Sequence, residues 1–157
     1  MREYRFLSCW LIASPREPIF EALWDSEAWP RWWPGLLEAR QSDPGGPDGI
    51  GRRGHYEWRS GMGYRVRFEV VSTGVERPWL LEGVAQGDLE GRGRWRLFEQ
   101  AGVTAVVYEW RVRTTRRWMN ALAPIAEPIL RRNHNRVMAA GAEGLARWIG
   151  APLFAAE

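Results

Sequence analysis

The sequence predicts an α+β fold: a curved antiparallel sheet of seven strands covered by one long C-terminal helix, with two short helices after the first strand. Three observations carry this. Between residues 52 and 114, five successive runs alternate apolar and charged side chains, the period-two pattern of strands with one packed and one wet face. Residues 115–149 then switch to a helical period. The resulting order is strand, two short helices, six strands, one long helix. A sheet with one apolar face must be covered, and a long helix with one apolar stripe covers it.

The first strand is expected over residues 3–13. Apolar residues stand on both of its faces, which predicts burial on both sides or packing by a helix. Arg2 and Arg5 before the run 6–13 resemble a short signal core, but Ser8, Cys9 and Ser14-Pro15 interrupt it and the strand reading is preferred. Ser14-Pro15-Arg16-Glu17 reads as a helix start: Ser14 as cap, Pro15 in the first helical position, Glu17 completing a capping box. Ile19, Phe20, Leu23 and Trp24 then share one face of a helix over 15–24. Residues 27–35, with three Trp and two Pro, predict a second short helix or turn.

A strand is read at 36–42 and a Pro/Gly loop at 43–49. Residues 52–60 place Tyr56 and Trp58 opposite His55, Glu57 and Arg59. After a turn at 60–63, residues 64–73 place Tyr64, Val66, Phe68 and Val70 opposite Arg65, Arg67 and Glu69. Strands at 79–86, 91–99 and 103–114 follow. Gly93, Trp95 and Leu97 oppose Arg94, Arg96 and Phe98, and Val106, Tyr108, Trp110 and Val112 oppose Val107, Glu109, Arg111 and Arg113. On the wet face Arg65, Arg67, Arg94, Arg96, Arg111 and Arg113 mix with Glu57, Glu69, Glu82, Glu99 and Glu109, which predicts cross-strand ion pairs rather than a basic binding stripe.

The C-terminal helix begins around Trp118, Met119 and Leu122. Pro124 and Pro128 predict a kink or break. Beyond them Ile129, Leu130, Asn133, His134, Val137, Met138, Gly141, Leu145, Trp148 and Ile149 form one stripe. From 125 to 149 the helix would be about 37 Å long at 1.5 Å per residue, and Gly150-Ala151-Pro152 ends it. No repeat or linker appears, so residues 1–157 are read as one domain.

Composition removes several chemistries. All 22 basic residues are arginine, which excludes Schiff-base lysines, lysine-anchored pyridoxal phosphate and Walker-type phosphate loops. The net charge of +3 is made of interleaved acids and arginines, so nucleic acid is not an expected partner. One cysteine allows no internal disulfide, and with only His55 and His134 beside it a structural zinc is not expected. No cofactor is expected. No 18-residue apolar stretch occurs, so no transmembrane segment is expected, and a cytoplasmic location is. Residues 49–54 match G-x-G-x-x-G, but a Pro/Gly loop precedes them and a strand follows, the reverse of a dinucleotide site. No G-x-S-x-G is present.

Several segments carry a family likeness: Trp10-x-Ile12-x-x-Pro15-Arg16-Glu17-x-Ile19-Phe20-x-Ala22-Leu23-Trp24-Asp25, Trp29-Pro30-Arg31-Trp32-Trp33-Pro34-Gly35, Gly87-Asp88-Leu89-x-Gly91-x-Gly93-x-Trp95, Thr104-x-Val106-x-Tyr108-x-Trp110, and Asn133-His134-x-x-Val137-Met138-x-x-Gly141. In them the chain resembles the helix-grip, START-like (SRPBCC) superfamily, in its polyketide cyclase/dehydrase and lipid-transport branch. The resemblance implies a helix-grip fold around an internal cavity, with residues 32–33 and Met62 at its mouth. It implies no catalytic residue.

A sheet gripping a helix leaves a space between them where small ligands bind. Tyr56, Trp58, Tyr64, Phe68, Trp95, Tyr108 and Trp110 fall on the concave face and are the candidate ligand contacts, competing with ordinary core packing. His134 and Met138 join them from the helix stripe, His134 as hydrogen-bond donor or acid/base group or as a structural histidine. The preferred function is binding or transport of a small hydrophobic, lipid-, polyketide- or aromatic-type molecule in this cavity, a reading that leans away from catalysis without settling it. The alternatives are a cyclase/dehydratase using His134 with Tyr56 or Tyr108, and a regulatory protein using the arginine face. Exposed tryptophan among residues 29–33 would offer a homodimer contact.

Overall fold

The computed structural model describes residues 3–61 and 63–157. All seven expected strands are present: β1 Glu3–Ile12, β2 Leu36–Asp43, β3 Arg53–Arg59, β4 Arg65–Glu76, β5 Leu80–Gly87, β6 Leu89–Gln100 and β7 Val103–Thr114. An eighth corrects the count. β8, Leu153–Ala156, returns after the long helix and pairs antiparallel with β1. The sheet order is β2-β3-β4-β5-β6-β7-β1-β8. Backbone bonds between Cys9 and Glu157, at 2.7 and 2.9 Å, extend the β1–β8 pairing.

β1 alternates more strictly than its composition suggests. Tyr4, Trp10 and Ile12 are buried on the concave face, whereas Leu7 is 68% exposed on the other. The expectation of burial on both sides fails because no layer covers the convex face there. Elsewhere that face carries expected cross-strand pairs, Arg65–Glu57 at 2.8 Å, Arg67–Glu57 at 3.1 Å, Arg94–Glu82 at 3.1 Å and Arg96–Glu109, and one outside the expected set, Arg53–Glu69 at 2.7 Å. Arg113 pairs with Glu90 at 2.9 Å, a partner absent from the expected set. Glu99 leaves that set, because its Oε1 accepts the Arg16 backbone N–H at 2.7 Å.

That bond also corrects the helix start. α1 spans Arg16–Trp24 behind an extended Pro15, one residue later than read, so Ser14 is too far back to cap it. The Ser14 hydroxyl turns to the Pro15 carbonyl at 3.0 Å, and Glu99 supplies the anion at the helix N-terminus. A 3-10 segment, Ser26–Arg31, follows. The tryptophans in and just after it are not surface residues: Trp29 is half-buried, and Trp32 and Trp33 are buried. They pack against α1 and the sheet, so the exposed tryptophan expected among residues 29–33 is not found, and Trp29 and Trp33 line the cavity described below. Met62 lies outside the described residues.

The C-terminal region forms α2, Arg117–Ala121, and α3, Ala123–Ile149. The break falls at Leu122, ahead of both prolines. Pro124 occupies the first turn of α3, where a missing N–H breaks no helical bond, and Pro128 sits within the helix. α3 is seated unevenly. Among its described side chains the buried ones fall between Met138 and Ala146, whereas Ile125 and Ile129 are exposed. Trp148 also faces solvent, so the stripe is narrower and shorter than read. Two glycines permit the close seat. A Cβ on Gly141 would lie 2.5 Å from the Trp33 ring, and one on Gly144 would lie 1.7 Å from the Trp32 carbonyl oxygen. The Trp33 indole N–H donates to the Val137 carbonyl at 2.9 Å, tying the chain just after the 3-10 segment to the middle of α3.

Candidate ligand-binding cavity

Because only the C-terminal half of α3 is pressed onto the sheet, a cavity of about 240 Å3 remains under its N-terminal half. The period of two aims alternate side chains of β3, β4, β6 and β7 into this space. All nine residues singled out from the sequence, Tyr56, Trp58, Tyr64, Phe68, Trp95, Tyr108, Trp110, His134 and Met138, lie on its wall.

The rings form a closed belt. Tyr56 and Phe68 are cross-strand partners with centroids 5.9 Å apart. Phe68 meets Trp110 at 5.9 Å, Trp110 meets Tyr108 at 6.0 Å, and Tyr108 stacks on its partner Trp95 at 4.0 Å. Trp95 meets Trp33 at 6.2 Å, Trp33 meets Trp29 at 5.3 Å, and Trp29 returns to Tyr56 at 5.6 Å. Such contacts contribute about 0.5–1.5 kcal/mol each beyond area burial. The belt therefore holds its own shape, and neighbours stabilise each ring without closing the centre. Gly93 keeps room within it: a Cβ there would lie 3.1 Å from the Tyr108 hydroxyl and 3.0 Å from the Trp110 ring. Trp58 meets Trp33 edge-on at 5.1 Å. Tyr64 meets Trp118 of α2 edge-on at 5.3 Å.

The polar groups differ in availability. The Tyr56 hydroxyl donates to Ser26 Oγ at 2.8 Å, and burial pushes its pKa up. Burial also raises the Tyr108 phenol, far beyond its ordinary range. Burial first, and the Arg131 charge second, pull the His134 imidazole down to about 4, so it is neutral at pH 7. His134 stacks on Phe6 at 4.1 Å. Its neighbour Asn133 accepts the Gly61 backbone N–H at 2.8 Å, latching α3 to the β3–β4 hairpin across the wall. Among the described residues no three His, Cys, Asp or Glu side chains converge.

Among the wall residues outside those nine, two pairs stand out. Tyr4 and Phe6 come from β1, whose two apolar faces hid the inward set. Trp24 and Arg52 form a pair: the guanidinium lies 3.5 Å from the ring centroid and donates to the Trp24 carbonyl at 2.5 Å. Burial lowers the Arg52 pKa. No sequence spacing links residues 28 positions apart; the loop before β3 brings them together.

The family described as polyketide cyclase / dehydrase and lipid transport matches residues 11–149. Among curated proteins none matches the sequence. Solved structures share the fold at low identity. The di-domain ARO/CYC BexL from the BE-7585A biosynthetic pathway gives a TM-score of 0.73 at 15% identity, over 92% of this chain and 49% of that one. This chain thus spans about half the length of that protein. The Zhui aromatase/cyclase from Streptomyces sp. R1128 gives 0.78 at 14%, over 95% of this chain and 94% of that one. A START superfamily protein from Mycobacterium smegmatis gives 0.75 at 14%, over 93% and 97%. At these identities the likeness shows the fold alone.

Proposed function

The chain belongs to the polyketide cyclase/dehydrase and lipid transport family, and from that premise we propose that it binds a small apolar, ring-bearing molecule between the sheet and α3. One observation carries the reading: seven aromatic residues joined in a continuous circuit of ring contacts all line a space of about 240 Å3 that they leave unfilled. An apolar cavity of about 150 Å3 takes one benzene ring, so this larger space suits about two fused rings. The unit proposed to act is the whole chain, residues 1–157, as one START-like domain. Nucleic acid is not proposed as a partner, since Arg53, Arg65, Arg67, Arg94, Arg96 and Arg113 each face a glutamate.

Equilibrium dialysis against naphthalene tests this. One molecule should bind per chain. Leu130→Trp, which adds an indole to the wall, should abolish binding while the protein stays folded by circular dichroism. Folded wild-type protein that retains no naphthalene refutes the reading.

A cyclase- or dehydratase-type reaction in the same space is the second reading, favoured by the presence of His134 on the wall. It ranks below binding. An imidazole with a pKa of about 4 is a weak base at pH 7, and Tyr56 already spends its hydroxyl on Ser26.

A further inference from the structure

The outer face of α2 and of the first half of α3 is apolar where the fold leaves it open. Trp118, Leu122, Ile125 and Ile129 are all exposed, Ile125 at 74%. Their spacing of four, three and four is that of one helical face. All four line a surface groove of about 160 Å3, together with Tyr64 and Leu130. The same spacing continues to Arg132 and Arg136, which are exposed as well. Single exposed apolar residues are ordinary, but a contiguous apolar patch rimmed by charge marks an interaction surface.

The charge points to the kind of partner. Residues 116–136 hold five arginines and one glutamate, a net +4, against +3 for all 157 residues. The balance of acids and arginines on the sheet stops here. Arg116 is engaged with Asp88 at 2.6 Å and Arg131 with Glu127 at 3.2 Å. Arg117, Arg132 and Arg136 are exposed and carry no ion pair or hydrogen bond among the described residues. We propose that this face docks on an anionic membrane surface. Trp118, Leu122, Ile125 and Ile129 enter the boundary between headgroups and acyl chains, and Arg117, Arg132 and Arg136 meet the negative headgroups. A helix that lies flat on a bilayer needs an apolar face to bury and cations to meet the surface potential, and tryptophan favours that level. A second copy of this chain fits less well, since a two-fold contact would set like arginines against one another. Docking here does not depend on what the cavity holds.

Cosedimentation of the full chain with extruded vesicles tests this. Vesicles of phosphatidylcholine with about one-third phosphatidylserine should retain the protein, and vesicles of phosphatidylcholine alone should not. Raising the salt from about 0.1 M to about 0.5 M should weaken retention about tenfold, because the arginines are screened. Ile125→Glu, at the most exposed of the four apolar positions, should abolish it. Arg117→Gln, Arg132→Gln and Arg136→Gln together should weaken it about a hundredfold, at about fivefold per arginine. Leu7→Glu is the control, because Leu7 is exposed too but lies on the convex face of the sheet; this variant should bind like the wild type. All the replaced side chains are exposed, so the urea midpoints should stay close to that of the wild type. A wild type that ignores the mixed vesicles, or binds both kinds equally, overturns the proposal. So does retention that survives both Ile125→Glu and the triple variant, or that Leu7→Glu removes equally. A dimer in sedimentation equilibrium that Ile125→Glu dissolves would give the face to a second copy and overturn the membrane assignment.

Discussion

Replacing His134 by leucine should change how stability depends on pH, by a predictable amount and sign. In the folded protein burial and Arg131 hold this imidazole at about 4, against an ordinary value near 6.5 in the unfolded chain. Between these values the unfolded chain takes up a proton that the folded chain refuses. Stability therefore rises with pH across this window, and the penalty is complete below the folded pKa and gone above the unfolded one. At 1.36 kcal/mol per unit, the difference amounts to about 3 kcal/mol. The leucine variant lacks the group, so subtracting its stability from that of the wild type isolates the effect from every other titrating residue. Urea denaturation of both proteins at pH 7.5, 6, 5 and 4, followed by tryptophan fluorescence, gives the two curves. The wild type should lose about 3 kcal/mol relative to the variant between the ends of that series. A difference independent of pH would show that the imidazole titrates normally, and the buried, neutral His134 described above would be wrong.

The close seat of α3 predicts that Gly144→Ala destabilises. Helix propensity alone would stabilise by about 1 kcal/mol, but the new methyl would meet the Trp32 carbonyl at 1.7 Å, and overpacking of this kind costs about 1–3 kcal/mol or more; an unchanged or raised urea midpoint refutes the seat. Glu99→Ala should cost about 1 kcal/mol, as loss of a helix cap does, despite lying 83 residues from the helix it caps. Tyr56→Phe should cost about 1 kcal/mol by leaving Ser26 without its donor, and full stability in chemical denaturation would argue that the bond contributes nothing.

Period and punctuation made much of the fold legible. In β4 the alternation of Val66, Phe68 and Val70 with Arg65, Arg67 and Glu69 is clean, and there the structure follows the reading residue for residue. The inward residues of β3, β6 and β7 were legible for the same reason, and all seven aromatic candidates reach one cavity. β1 was not, because Leu7, Cys9 and Leu11 give its convex face an apolar look, which masked Tyr4 and Phe6. β8 was missed because four residues beyond a helix end carry no period; the strand exists through the partner that the exposed edge of β1 supplies. The cap on α1 comes from a distant strand, so a local capping pattern misassigned it. The openness of the cavity depends on how rings lean on one another around Gly93, which no one-dimensional pattern records.

The uneven seating of α3 also divides the helix energetically. Residues from Met138 onward are anchored in the main core, while the stretch before it is restrained mainly by ring contacts and by single bonds such as Asn133 to the hairpin. Opening that stretch breaks few buried apolar contacts, so it is a local fluctuation far cheaper than unfolding. Amide protons should accordingly exchange quickly up to about Val137 and slowly beyond it. One helix would thus carry two local stabilities, the higher at its C-terminal end.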